Sequence, residues 1–102
     1  IPIKVIVFND SAWGAEKAYQ KLLYEGRYIG SNLKNPDLLR LAKSLGAEAI
    51  HAQSPEEVRR GIRELNKIDI VGVLIIDMEN DYPTPARIFD AVKRTPRGIY
   101  VK

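Results

Sequence analysis

Two short apolar runs constrain what this chain of 102 residues can fold into. The first covers residues 3–8 and the second lies within residues 68–78, and polar side chains hardly interrupt either of them. Such runs are typical of parallel strands, which are buried on both faces of their sheet. The segments between them repeat apolar residues at helical spacing. This alternation predicts βαβ units and a three-layer α/β/α fold with a mostly parallel sheet.

Helix start and stop signals place the remaining elements. We predict strands near residues 3–8, 47–51 and 69–77, and helices near residues 12–25, 36–45 and 55–66. Asn35 followed by proline is typical of an N-cap with proline at the first helical position. The sequence from Ser54 to Glu57 is a capping box, also with proline at the first helical position. Gly26 and Gly46 are expected to end the first two helices.

The apolar residues of the first helix repeat at helical spacing: Ala15, Ala18, Tyr19, Leu22 and Leu23. The end of the chain has a different character. Residues 86–93 are compatible with a short helix and residues 99–101 with an extended end, and neither carries a motif. We therefore expect a single domain or a fragment of one, with residues 79–102 as a tail.

Composition excludes several classes of function. The net charge is only +3, and lysine and arginine are scattered among acids with no aromatic platform, which disfavours nucleic-acid binding. No apolar stretch reaches the length of a membrane span, so no membrane association is expected. The chain contains no cysteine, which excludes disulfides and thiol catalysis and suits a cytoplasmic protein.

The first strand leads into a turn and a helix, and this junction is the best candidate for chemistry. Ligands of open α/β sheets bind at the carboxyl ends of the strands, and a helix N-terminus there offers free N–H groups to a phosphate. Asp10 places a carboxylate at the same point, and two anions repel each other. A divalent cation such as Mg²⁺ between carboxylate and phosphate removes the conflict. The alternative is that Asp10 or Ser11 merely caps the helix.

The run Phe-Asn-Asp-Ser-Ala-Trp-Gly-Ala-Glu-Lys at residues 8–17 resembles the second half of the thiamine diphosphate motif. That motif begins with Gly-Asp-Gly and ends in Asn-Asn in acetolactate synthase, benzoylformate decarboxylase and benzaldehyde lyase. The resemblance continues through Gly26-Arg-Tyr, residues 35–47 and the capping box to Asp77. It covers roughly residues 5–78. Because Gly-Asp-Gly is missing and the chain opens directly into a strand, we expect a fragment of a larger polypeptide.

The resemblance assigns roles around the turn. Asp10 matches the second Asn of the motif, whose side chain binds the metal, although Asp here adds a charge. The backbone carbonyl of Ala12 matches a further metal ligand, and Asn9 matches the residue that supports the turn. Trp13 and Gly14 match positions against the diphosphate, where glycine lets the backbone come close.

Three residues of the first helix match positions beside the reaction centre: Ala15, Glu16 and Tyr19. In one branch of the family, a glutamate at the position of Glu16 assists proton transfers, and burial can raise a glutamate pKa enough for such work. The alternative is that Glu16 complements the helix dipole from the first turn.

The resemblance implies a fragment of a thiamine diphosphate- and Mg²⁺-dependent enzyme acting on 2-oxo acids. An acetolactate synthase-like carboligase or decarboxylase is the expected parent, and its substrate and any flavin requirement stay open. It also implies a homo-oligomer, dimer or tetramer, with Tyr24, Arg27 and Tyr28 near a partner chain. The alternative is a non-catalytic, flavodoxin-like α/β module for binding or assembly, because fold alone does not separate the two.

Two weaker candidates remain. His51 is the only histidine and has no partner motif, so a structural or solvent-facing role is favoured over catalysis. Asp77, Glu79 and Asp81 follow the second apolar run on the same sheet edge as Asp10. They are compatible with a metal site, but a solvated acidic loop is the more frequent outcome.

Overall fold

The architecture is α/β with a parallel sheet of three strands in the order β1-β3-β2. The structure, a computed structural model, describes residues 1–79. Its elements in chain order are β1 (Lys4–Asn9), α1 (Gly14–Leu23), α2 (Leu38–Ser44), β2 (Glu48–Ala52), α3 (Pro55–Leu65) and β3 (Gly72–Asp77). All strand pairs are parallel. The predicted α/β fold with parallel strands near residues 3–8, 47–51 and 69–77 is therefore confirmed.

The two helices that flank the sheet lie on opposite faces. Val73 and Ile75 line a groove together with Leu38 and Leu41 of α2, whereas Leu74 packs into the cluster beneath α3. The chain runs from β1 past β3 to β2 and then returns to the centre. Right-handed crossovers in these two opposite directions place their helices on opposite sides of the sheet.

The core lies between α3 and the sheet. Ala52, Leu65 and Leu74 are buried there, with Leu74 completely inaccessible to solvent. Around them pack Ile50, Val58, Ile68 and Ile76. The members of this cluster that lie on strands are Ile50, Ala52, Leu74 and Ile76. Their even numbers are expected, because side chains along a strand alternate between the two faces of the sheet.

The capping box at the start of α3 is confirmed. The Ser54 side chain accepts a hydrogen bond from the Glu57 N–H at 3.2 Å, and Pro55 is the first helical residue. The Glu57 carboxylate accepts from the Gln53 N–H at 2.7 Å. Gly26 and Gly46, both with positive φ, follow the ends of α1 and α2 as predicted.

The predicted start of α2 is wrong by two residues. Asp37, not Asn35, is the N-cap, and its side chain accepts a hydrogen bond from the Arg40 N–H at 3.0 Å. Asp is as strong an N-cap as Asn, so the helix can begin after either residue. Asn35 instead donates its side-chain amide to Asn9 Oδ1 at 2.7 Å.

The burial on both faces that was expected of β1 is not found within residues 1–79, and α1 is exposed as well. No residue of α1 is buried, and the apolar side chains of Tyr19, Leu22 and Leu23 are exposed. On β1, Ile6 and Phe8 are 46% and 67% exposed. In the described part of the chain β1 pairs only with β3, and α2 and α3 pack over β2 and β3. The faces of β1 therefore receive no helix.

None of the helices that the structure describes is long and apolar enough to cross a membrane. The predicted helix at residues 86–93, the extended end at residues 99–101 and the acidic residue Asp81 lie outside the described residues.

The close approach of α3 to β3 gives a stability prediction. A Cβ at Gly61 would lie 2.7 Å from Leu74 Cδ1 and 3.5 Å from Ile50 Cγ2. Alanine gains about 1 kcal/mol of helix propensity over glycine, but overpacking a core costs about 1–3 kcal/mol. We expect Gly61→Ala to lower the free energy of unfolding by about 1 kcal/mol.

Urea denaturation measures this change. Arg63→Ala, on the exposed side of the same helix, is the control and is expected to stay within about 0.5 kcal/mol of the unmodified chain. A Gly61→Ala protein more stable than the unmodified chain would show that Leu74 moves aside at little cost.

Candidate functional site

The carboxyl ends of the three strands bring polar side chains together at one edge of the sheet. Asn9 ends β1 and lies opposite Asp77, which ends β3. On the other side of β3, His51 and Gln53 lie at the end of β2. Parallel pairing is the reason for this arrangement, because it aligns all carboxyl ends. Asp10 follows Asn9 directly and opens the turn into α1.

Two side chains hold this turn. Asn9 Oδ1 accepts from the Ser11 N–H at 3.3 Å, and Asp10 Oδ1 accepts from the Ala12 N–H at 3.1 Å. Both bonds are Asx-turns, in which the side chain binds the backbone two residues further on. Ser11 has a φ of 52°, which is uncommon for a residue with a Cβ and needs support from its surroundings.

The loop after α1 supports the turn from the other side. The Trp13 N–H donates to the Ser31 carbonyl at 2.7 Å, and the Leu33 N–H donates to the Ser11 carbonyl at 2.9 Å. These bonds flank an isolated antiparallel bridge between Ala12 and Asn32. The Ser11 carbonyl accepts one of these two hydrogen bonds, whereas the Ala12 carbonyl takes part in neither.

A buried hydroxyl anchors this loop to α1. Ser31 is 1% exposed, and its hydroxyl donates to Gln20 Oε1 at 2.9 Å. The same Gln20 side chain accepts from the Ile29 N–H at 3.0 Å and donates to the Ile29 carbonyl at 2.9 Å. One side chain of α1 thus fixes the loop whose backbone braces the turn.

The amino end of α1 has no side-chain cap. Trp13 occupies the N-cap position without a capping hydrogen bond, and the helix begins at Gly14. The carboxylate of Asp10 binds the Ala12 N–H, which precedes the helix. The alternative that Asp10 or Ser11 caps α1 is therefore not what the structure shows. Uncapped N–H groups and the helix dipole favour an anion at this end.

The remaining predicted site residues lie on or beside the first turns of α1. Trp13 is 60% exposed within the described part of the chain. Ala15 and Glu16 are exposed in the first turn, and Tyr19 is exposed one turn later. Glu16 thus occupies the place that the helix-dipole alternative requires. Its catalytic role stays a prediction.

Asp77 is the centre of a hydrogen-bond network at the sheet edge. Its Oδ1 accepts from the side-chain amide of Asn9 at 3.2 Å. Its Oδ2 lies 2.8 Å from His51 Nε2 and accepts from the side-chain amide of Gln53 at 3.1 Å. The network continues to Asn35 through Asn9. One carboxylate therefore connects β1, β2 and the segment before α2.

These contacts lower the pKa of Asp77. Partial burial raises the pKa, but hydrogen bonds from Gln53, His51 and Asn9, together with the charge on His51, outweigh it. Each of these groups stabilises the ionised carboxylate. The side chain is still 39% exposed, so solvent weakens the effect.

The network explains two residues that the sequence left uncertain. His51 contacts Asp77, a partner that no local motif announces, and its favoured structural or solvent-facing role stays a prediction. The sequence indicated this contact only indirectly, because His51 and Asp77 lie at the ends of strands that turn out to be neighbours. Within residues 1–79 no group of three His, Cys, Asp or Glu side chains is placed to hold a metal ion. Of the three acids after the second apolar run, Asp77 is committed to this network, and Asp81 lies outside the described residues.

The donor set at the turn fits a metal that also binds phosphate oxygens. Mg²⁺ usually takes one or two carboxylates and completes its shell with phosphate oxygens and water. Asp10 would supply one carboxylate to such a metal, and the Ala12 carbonyl would supply a hard oxygen. The uncapped end of α1 supplies N–H donors for the phosphate. The residues of the turn therefore fit both a diphosphate and a divalent cation.

The fold belongs to the class of parallel α/β domains that carry their polar residues at the carboxyl edge. Comparison with protein families assigns the chain to one family within this class. Residues 1–78 match the family described as thiamine pyrophosphate enzyme, C-terminal TPP binding domain. This match covers more than half of the chain, so the chain belongs to that family.

Full-length relatives agree with this assignment. Acetolactate synthase of Schizosaccharomyces pombe is 29% identical over 86 residues, 81% of this chain and 13% of that protein. The acetolactate synthase large subunit of Corynebacterium glutamicum is 35% identical over 79 residues, 72% of this chain and 13% of that protein. Sulfoacetaldehyde acetyltransferase of Alcaligenes xylosoxydans xylosoxydans is 36% identical over 58 residues, 57% of this chain and 10% of that protein. The chain thus spans about an eighth of the length of these relatives or less.

The lowered pKa of Asp77 gives a prediction about acid. A carboxyl whose folded pKa lies below its ordinary value of about 3.9 stabilises the fold above that pH. The stabilisation is lost as the pH falls through the folded pKa, because the folded state must then bind a proton. We expect the unmodified chain to be more stable than Asp77→Asn at neutral pH and the difference to shrink below about pH 4.

Urea denaturation of both proteins from about pH 6 to about pH 2 measures the difference. The comparison cancels the titration of carboxylates outside the network. A difference that stays constant, or that grows as the pH falls, would contradict the assigned hydrogen bonds.

Proposed function

We propose that this chain is the C-terminal part of a thiamine diphosphate- and Mg²⁺-dependent enzyme that acts on 2-oxo acids. An acetolactate synthase-like carboligase or decarboxylase is the preferred parent. The observation that carries the proposal is the uncapped amino end of α1 beside Asp10, in a chain that belongs to this family. The chain then contributes half of the metal–diphosphate site.

Asp10 and Ala12 hold the cation in this proposal. Asp10 has one carboxylate oxygen bound to the Ala12 N–H, which fixes the side chain and leaves its other oxygen for the metal. The bridge to Asn32 does not use the Ala12 carbonyl, which becomes the second ligand. Asn9 supports the turn through the Ser11 N–H. A preorganised turn of this kind holds ligands without further loss of entropy on binding.

The first turn of α1 binds the diphosphate and faces the reaction centre. Gly14 lets its backbone approach the phosphate oxygens because it has no Cβ, and Trp13 lies against them. Ala15 and Tyr19 line the reaction centre, where Glu16 moves protons to and from the substrate. Thiamine diphosphate, when bound, supplies a thiazolium that stabilises a carbanion during C–C bond cleavage or formation.

A cytoplasmic location and a homo-oligomeric parent, dimer or tetramer, also belong to the proposal. The absence of cysteine supports the first. The exposed apolar face of α1 is compatible with the second, because such a face is stabilised by burial against further protein.

The test of the metal assignment is substitution of Asp10 in the longer enzyme that carries this chain. We expect Asp10→Ala to abolish retention of thiamine diphosphate, because the cation loses its side-chain ligand. Asp10→Asn keeps an oxygen at the same place and restores the usual residue of the motif, so it should retain much of the activity and change the metal preference. Cofactor content and activity are measured with Mg²⁺, Mn²⁺ and Ca²⁺.

Asp37→Ala is the matched control for Asp10→Ala. It also removes a carboxylate, but that carboxylate caps α2. The control should lose about 1 kcal/mol of stability and keep its cofactor, the reverse of the result expected for Asp10→Ala. Tight cofactor retention by Asp10→Ala would show that the metal assignment is wrong.

The chain alone should bind thiamine diphosphate weakly or not at all. The motif requires a second carboxylate from Gly-Asp-Gly, which this sequence does not contain. In the family a second domain also holds the aminopyrimidine ring of the cofactor. Titration calorimetry with Mg²⁺ and thiamine diphosphate tests this expectation. A micromolar dissociation constant, worth about 8 kcal/mol, would overturn it.

A further inference from the structure

The carboxylate of Asp77 is divided between two neighbouring strands. Oδ1 binds Asn9 at the end of β1, and Oδ2 binds His51 and Gln53 at the end of β2. The two donors on β2 restrict rotation of the carboxylate. Oδ1 is therefore held toward Asn9 and not left free to follow solvent. Charge-assisted hydrogen bonds of this kind are about twice as strong as neutral ones.

The side chain of Asn9 passes this constraint to the turn. Its amide nitrogen donates to Asp77, which fixes which way the amide group points. Its oxygen then accepts from the Ser11 N–H and from the amide of Asn35. Without Asp77 the amide of Asn9 has no described partner for its donor end, and only the two bonds to its oxygen oppose its reversal. The reversed amide would present N–H groups to the Ser11 N–H.

We propose that Asp77 is a positioning residue for the metal and diphosphate site: it orients the amide of Asn9, which holds the turn that carries Asp10 and Ala12. The backbone at Ser11 makes the constraint necessary, because φ of 52° is strained for this residue and relaxes when its hydrogen bonds are lost. The expected effect on cofactor affinity rests on the proposed function, whereas the expected effect on the turn does not.

The first experiment uses the chain alone and needs no cofactor. Amide hydrogen exchange and amide chemical shifts are measured by nuclear magnetic resonance for Asp77→Ala, Asp77→Asn and Asp69→Ala. Asp77→Ala should shift the Ser11 and Ala12 resonances and raise Ser11 exchange by about tenfold, as the loss of one hydrogen bond predicts. Asp77→Asn keeps only one oxygen, for which His51 and Gln53 compete with Asn9, so its amide nitrogen faces Asn9 and both residues should also change.

Asp69→Ala is the matched control. It removes an exposed carboxylate just before the opposite end of β3, and it should leave Ser11 and Ala12 unchanged. If Ser11 and Ala12 are also unchanged in Asp77→Ala, Asp77 does not position the turn. If Asp77→Ala does not fold, Asp77→Asn decides: unchanged Ser11 and Ala12 resonances in a folded Asp77→Asn protein would overturn the positioning role.

The second experiment is a double-mutant cycle on cofactor affinity in the longer enzyme. Asp77→Ala should raise the dissociation constant for thiamine diphosphate about tenfold, and it should add nothing when Asn9→Ala is already present. Independent, additive effects would overturn the positioning role. If the unmodified enzyme binds no thiamine diphosphate, the proposed function fails, while the result at Ser11 still decides the role of Asp77.

Discussion

The parallel pairing of β1 with β3 is the interaction on which the rest of the structure depends. Its register places Asn9 opposite Asp77 at the carboxyl edge. A slip of one residue would turn every side chain of β1 to the other face. Both the network around Asp77 and the direction in which the chain enters the turn would then be lost. The polar edge is a consequence of strand register and not of any local motif.

The turn after β1 combines a strained backbone with a helix that lacks a side-chain cap. Ser11 adopts a positive φ, and the carboxylate of Asp10 binds the backbone before the helix starts. A chain selected only for stability would place Ser or Asp at the N-cap of α1, where Trp13 stands. Departures from local optima of this kind concentrate at functional sites. The missing cap costs stability, but it leaves the N–H groups at the start of α1 available to an anion.

The features of the fold and the site that could be predicted from the sequence are those that depend on residues close together in the chain. Ser54 and Glu57 lie within one helical turn, so the cap of α3 was predictable from spacing. The partner of His51 lies 26 residues away and depends on strand order, which a single sequence does not give. The contact between Asn35 and Asn9 depends on the path of a loop in the same way. The exposure of the apolar face of α1 was not predictable for another reason: periodicity shows which face is apolar, not what lies against it.

The charge at residue 10 adds a last constraint on how the site works. An asparagine there would accept the Ala12 N–H as well as Asp10 does, so the turn itself does not require a carboxylate. The extra negative charge is favourable beside the positive end of the α1 dipole as long as no other anion is present. A bound diphosphate reverses this balance, because carboxylate and phosphate then compete for the same positive end of the helix. A divalent cation resolves the competition by binding both anions. We therefore expect metal and diphosphate to bind this turn cooperatively, each strengthening the affinity for the other.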